Sequence, residues 1–175
     1  MLQAVARRVM YFLNQHDQQD GRVKHQAMIL AQNVDSAEKF EEAYNKIATE
    51  GDVCAVYISG SSQSVLDKFE KEHEVRTLTV IGRLREGFDN KNVSVVAILR
   101  NVARDSKVFF TQFVGRAVRK TYKDDPVTAM IVSHERFHQR ENFIQFDHIT
   151  EEENVDEDEC GDESGDVDES MDVQD

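Results

Sequence analysis

Three polar side chains stand on one stripe of the stretch "FTQFVGRAVRKTYK". Gln112, Arg116 and Arg119 follow one another at spacings of four and three, with Gly115 between them. On a helix these spacings put all three on one face. Val108, Phe110, Phe113, Val114, Ala117 and Val118 make a broad apolar surface on the other side. A guanidinium is planar, always charged and able to meet a phosphoryl oxygen with two donors. The plain reading of such a stripe is a solvated polar face.

About twenty residues upstream, "GRLREGFDNKN" joins two apolar runs. Gly87 allows close backbone approach there, and Asp89 offers a carboxylate to a hydroxyl. Neither motif says much alone. The Gly-x-Asp loop followed by Gln-x-x-Gly-Arg-x-x-Arg, in this order and spacing, is far more specific.

The elements that must carry these residues alternate. Residues 2–15 read as an amphipathic helix with Val5, Val9, Phe12 and Leu13 on one face. Apolar strands are predicted at 26–31, 52–60, 76–82, 93–99 and 125–133. Helices are predicted at 35–50, 61–73 and 105–120, the first capped by Asp35 or Ser36 with Glu38 in its first turn. A further packing segment is expected at 142–148. Strands alternating with helices imply an α/β layer structure around a largely parallel sheet. Their continuous apolar runs imply burial on both faces. Function in such sheets collects at the loops after the strands' C-terminal ends. Those loops hold Gln32 and Asn33, Ser59 and Gly60, and Gly82 through Asp89.

On these residues the chain resembles the C-terminal, second RecA-like lobe of superfamily 2 helicases of the DEAD/DEAH-like group. "LREGFDNKNVSVVAIL" is similar to motif V, "QFVGRAVRK" to motif VI, and "AMILAQNVDSAEKF" to the segment around motif IV. The resemblance covers roughly residues 1–135. It implies a RecA-like lobe of the P-loop NTPase type, and ATP held in a cleft between two lobes. By position, Arg119 would be the main arginine finger, Arg116 a second phosphate contact and Gln112 a sensor of nucleotide state. Gly115 would be the small residue for close packing. Asp89 would approach the ribose and Gly87 would shape its loop. The family also grips one nucleic-acid strand across both lobes. Gln32, Asn33, Ser59, Gly60, Gly82 and Arg83 would stand along it. Two departures stand out. Ile81 and Gly82 stand where many members have a Thr, so the resemblance does not carry over that hydroxyl–phosphate contact, and Glu86 stands where some branches carry an Arg, which argues against the DEAD-box branch proper.

No stretch fits G-x-x-x-x-G-K-[ST], so no loop of that kind cradles the β- and γ-phosphates. The tail's "DESG" has no apolar strand before it and is no magnesium box. The reading is half an ATPase: ATP shared with, and Mg²⁺ held by, a first lobe supplied in cis or in trans. Met1 falls about where a second lobe would begin, so fragment, truncated product and stand-alone lobe all fit. The other reading is a non-catalytic interaction module built on a helicase lobe. "HERFH" at 134–138 spells H-E-x-x-H, with Glu135 as the base of a zinc site. His148 and Glu141 are near in sequence, but neither has a zincin spacing. Histidines at the end of a sheet fit better.

The formal net charge of −13 over 175 residues hides two unlike parts. Residues 151–175 hold 14 Asp or Glu and no Lys or Arg, leaving 20 acidic against 21 basic residues in the rest. The body, taken as 1–148, is balanced and 175 residues at 39% hydrophobic content suit one ordinary core. The tail, 149–175, has almost nothing to bury and is expected to be disordered. It could meet a basic protein; it lacks the ligand spacing of a calcium loop. The two cysteines, Cys54 and Cys160, make neither a disulfide framework nor a zinc cluster. With no signal-peptide pattern and no apolar run of membrane length, a nuclear or cytoplasmic place is expected.

Overall fold

A computed structural model describes residues 1–82, 90–101, 107–115, 124–137, 139, 140 and 144, without the side chains of 107–110. The chain divides into Met1–Asn142 and Phe143–Asp175. The second unit contributes one described residue, an exposed Ile144. All else concerns the first.

The five expected strands form a parallel sheet, its second and fifth strands shorter than the expected 52–60 and 125–133. Strands β1 (Gln26–Ala31), β2 (Val53–Tyr57), β3 (Val75–Ile81), β4 (Val93–Leu99) and β5 (Met130–Ser133) stand in the order β2-β3-β1-β4-β5. Every pairing is parallel. Residues of β1 and β4 are buried throughout, as continuous apolar runs require in a sheet covered on both faces.

Helix α1 (Leu2–Gln19) runs one turn beyond the expected residue 15. Its buried stripe continues through His16, and Asp20, extended at φ −135°, stops it with its N–H on His16 O. Helix α2 (Val34–Asn45) is capped by Asn33, not by Asp35 or Ser36. Ser36 occupies the third helical position and completes a reciprocal capping box, so two otherwise unpaired N–H groups are satisfied at once. Helix α3 (Gln63–Glu70) starts at Ser62, whose Oγ accepts from Ser64 N at 3.2 Å. Helix α4 (Lys107–Val114) covers part of the expected helix 105–120; Gly115 stands in a turn, and 105, 106 and 116–120 lie outside the described residues.

Helices α1 and α2 pack on each other and on one face of the sheet. Val5, Val9, Leu13, Phe40 and Tyr44 meet Ala27, Ile29, Cys54, Val95, Ala97 and Leu99 there. Tyr44 OH accepts from Thr77 Oγ1 at 3.0 Å, and Cys54 Sγ lies 3.4 Å from Thr79 Oγ1. Burial pushes the Cys54 thiol up to about 12, which makes it an inert core residue. The β2–α3–β3 crossover runs back against the direction of β1–α2–β2. Since parallel crossovers are right-handed, α3 covers the opposite face. Gln26 ties that side together: its Nε2 donates to Phe69 O and Val75 O at 2.7 and 2.8 Å, and its Oε1 accepts from Asn90 Nδ2 at 3.0 Å.

Two register shifts lie at the strands' N-terminal ends. Val53 pairs Val75 but Cys54 pairs Thr77, and Gln26 pairs Val93 but Ala27 pairs Val95. Arg76 and Ser94 are the extra residues. A bulge re-aims its side chain, and both are buried against α1 and its neighbours. Arg76 bonds Asp52, Asp17 Oδ2 (2.6 Å), Asn14 Oδ1 (3.1 Å) and His25 O (3.3 Å). Ser94 Oγ lies 2.7 Å from His16 Nδ1.

The H-E-x-x-H stretch does not form an α-helix. Glu135–Phe137 is a single 3-10 turn, and His134 Nδ1 accepts from Arg136 N at 3.1 Å. His138 lies outside the described residues. No helix among the described residues is long and apolar enough to cross a membrane.

Candidate nucleic-acid interface

With all strands parallel, every β-strand exits at one edge of the sheet. This edge collects Gln32 and Asn33 after β1, Ser59 and Gly60 after β2, Gly82 after β3, Arg100 and Asn101 after β4, and His134 after β5. Gln32, Asn33, Ser59, Gly60, Asn101 and His134 are exposed.

Each turn is built locally. After β1 the chain turns into α2 through four hydrogen bonds centred on Ser36. Its Oγ accepts from Gln32 N (3.2 Å) and Asn33 N (3.0 Å) and donates to Asn33 O (2.9 Å), while Asn33 Oδ1 accepts from Ser36 N (2.9 Å). The Gln32 side chain and the Asn33 amide NH₂ make no hydrogen bond to a described residue. After β2, Ser61 Oγ accepts from Ile58 N and Ser61 N donates to Ile58 O, both at 2.9 Å. That closes a turn whose third residue, Gly60, has φ +91°. Gly82, at φ +72°, ends β3 in the same left-handed region. A Cβ at either glycine would meet nothing within 4 Å, so backbone conformation rather than space calls for glycine.

The two capped helices, α2 and α3, begin at this edge, and N-termini present N–H groups and a positive dipole end to anions. The side chains between them are amides and hydroxyls: Gln32, Asn33, Ser36, Ser59, Ser61 and Ser62. The motifs single out neither Ser61 nor Ser62, and Ser36 enters the sequence reading only as a capping candidate. Their places directly before or within a helix start are the signal that could have found them.

On α4, Gln112 is exposed while Phe113 and Val114 are buried, and Gly115 N donates to Thr111 O at 2.7 Å. Gln112 therefore faces out, as expected. Arg83, Gly87, Asp89, Arg116 and Arg119 lie outside the described residues. Among the described residues no group of three His, Cys, Asp or Glu side chains could hold a metal ion.

The chain is similar in structure to domain 2 of the DEAD-box helicase Mss116p bound to an RNA duplex. The TM-score is 0.53 at 13% identity, over 81% of this chain and 56% of that one. The chain has the RecA-like fold of that helicase domain. The Mycobacterium smegmatis helicase Lhr bound to single-stranded DNA and AMP-PNP matches the lobe equally well, with a TM-score of 0.53 at 18% identity, over 74% of this chain and 16% of that one. The type ISP restriction–modification enzyme LlaBIII bound to DNA matches at a TM-score of 0.50 and 19% identity, over 74% and 9%. The lobe thus spans about half of the Mss116p chain and a small part of the other two. No family model and no curated protein matches the lobe.

Proposed function

We propose that this lobe is the second half of an ATP-dependent nucleic-acid helicase. It would grip a strand at the C-terminal edge of its sheet and turn Arg119 and Arg116 toward ATP held by a first lobe. The observation that carries the reading is the convergence of Gln32, Asn33, Ser59, Gly60 and Gly82 on one edge, beside two capped helix starts. Amide and hydroxyl groups with helix N–H donors suit a sugar–phosphate backbone, where contacts position a strand without reading its sequence. The similar structures hold RNA or DNA, which agrees. Arg83 would add a charge beside Gly82.

Toward ATP, Gln112 on its exposed face, Gly87 and Asp89 would meet the nucleotide. Bound ATP with Mg²⁺ supplies the phosphoryl group that is transferred. Arg119 and Arg116 would stabilise negative charge developing on that group, an effect of about 10³–10⁵ in rate for such fingers. The glycine-rich loop and the carboxylates for Mg²⁺ would come from the first lobe.

The test is reconstitution. Alone, the chain should release no phosphate above a protein-free blank. Joined to a matching first lobe, it should hydrolyse ATP, faster with added nucleic acid. A folded chimera that binds nucleotide yet never turns over overturns the catalytic reading and leaves an interaction module.

A further inference from the structure

At the opposite edge of the sheet lies a buried polar cluster that the helicase reading does not use. His16, in the last turn of α1, and His25, just before β1, are 2% and 1% exposed. Their rings stand edge to face with centroids 5.5 Å apart. His16 Nδ1 has Ser94 Oγ at 2.7 Å, the residue that the β4 bulge turns inward. Neither ring nitrogen of His25 has a hydrogen-bond partner. Its backbone is held firmly instead: His25 N donates to Asp17 Oδ1 at 2.9 Å and His25 O accepts from Arg76 Nε at 3.3 Å.

We propose that His16 and His25 form an acid-sensitive latch. It holds the last turn of α1 and the entry to β1 on the sheet at neutral pH and releases them in weak acid, while β2 and β3 stay paired.

The charges around the pair decide the sign. Asp17 on α1, Asp20 at its end and Asp125 ahead of β5 favour a charged imidazole, as does the negative end of the α1 dipole. Burial opposes it, and so do the second imidazole and the Arg76 guanidinium on β3. Burial is the largest influence on both rings, and both titrate below the usual 6.5, His16 at about 4. An open form, with its imidazoles in water, then binds more protons below about pH 6.5. Closure is thus stable above that pH and is lost as pH falls toward 4. His16 alone would raise the open fraction about twenty-fold between pH 7 and pH 5. Arg76 keeps its charge over this range, and its bond to Asp52 at the entry to β2 involves neither imidazole nor any residue of 14–25, whereas its bonds to Asn14, Asp17 and His25 O open with the latch. The release is therefore local.

The experiment uses the full chain. Hydrogen exchange, corrected for its intrinsic pH dependence, is followed from pH 7 to pH 5. Amides of residues 14–25 should speed up at least about tenfold, and those of 53–57 and 75–81 should not. Histidine ring proton resonances should show both groups titrating below 6.5. In His25→Phe, which keeps a ring but cannot take a proton, the acid response of residues 14–25 should shrink. A His25 that titrates at or above 6.5, an equal rise across the whole sheet, or an unchanged response in a folded His25→Phe each overturns the latch. If His25→Phe does not fold, the wild-type titration and exchange pattern decide.

Discussion

At the scale of single residues, the proposed function rests most on Arg116 and Arg119, which lie outside the described residues. Gln112, on the same expected stripe, is exposed while Phe113 and Val114 are buried. The roles proposed for the arginines rest on geometry as well as charge. In a chimera with a matching first lobe, Arg119→Lys should lose turnover nearly as completely as Arg119→Ala. Lysine keeps the charge but lacks the flat two-donor fork. The loss should fall on kcat rather than KM, because the contact tightens as charge develops. If Arg119 stands on the polar stripe expected from the sequence, both variants should melt within about a degree or two of the parent, since surface substitutions change stability little. Full turnover in both, or unfolding of both, would make the stripe a solvated or packed face.

At the scale of elements, the start of α2 has a structural role and a proposed binding role, and substitution can separate them. Asn33→Ala removes the cap and half of the capping box, at a cost of about 1 kcal/mol. That should lower the melting temperature by about 2–4 °C for a domain of this size. Asn33→Asp caps equally well and should melt as the parent does. Its added negative charge would stand against a phosphate backbone, so oligonucleotide binding should weaken. Fluorescence anisotropy beside a melting curve distinguishes the two effects. If Asn33→Asp binds unchanged, this turn lies off the strand's path.

At the scale of the whole molecule, charge is divided between a balanced body and residues 151–175 with their 14 carboxylates. Removing those residues should leave the melting temperature nearly unchanged, because they have little apolar surface to bury. It should also strengthen oligonucleotide binding, most clearly at low salt, where the acidic segment and nucleic acid compete for the same basic groups. A melting temperature lowered by many degrees would make the segment structural. Equal binding at every salt concentration would remove the competition.

The order of strands and helices, the burial of β1, β3 and β4 on both faces, and the outward place of Gln112 were legible in the sequence; the end strands β2 and β5 are only partly buried. Continuous apolar runs mark the buried strands, and a period of 3.6 marks the helices. So were Gln32, Asn33, Ser59, Gly60 and Gly82 as loop residues, because each directly follows an apolar run. The cap of α2 was misplaced by two or three residues, since Asn33, Asp35 and Ser36 are all good capping types and only backbone direction chooses among them. The sheet order β2-β3-β1-β4-β5 came from tertiary structure, and it decides which of these loops are neighbours along the shared edge. The buried cluster at the other edge was not legible at all. Arg76 meets Asp17 across 59 residues and His16 meets Ser94 across 78. Two bulges, each a one-residue change of register between strands distant in sequence, turn Arg76 and Ser94 inward. Local periodicity carries no information about such pairing, because register is decided only when one strand is packed against another.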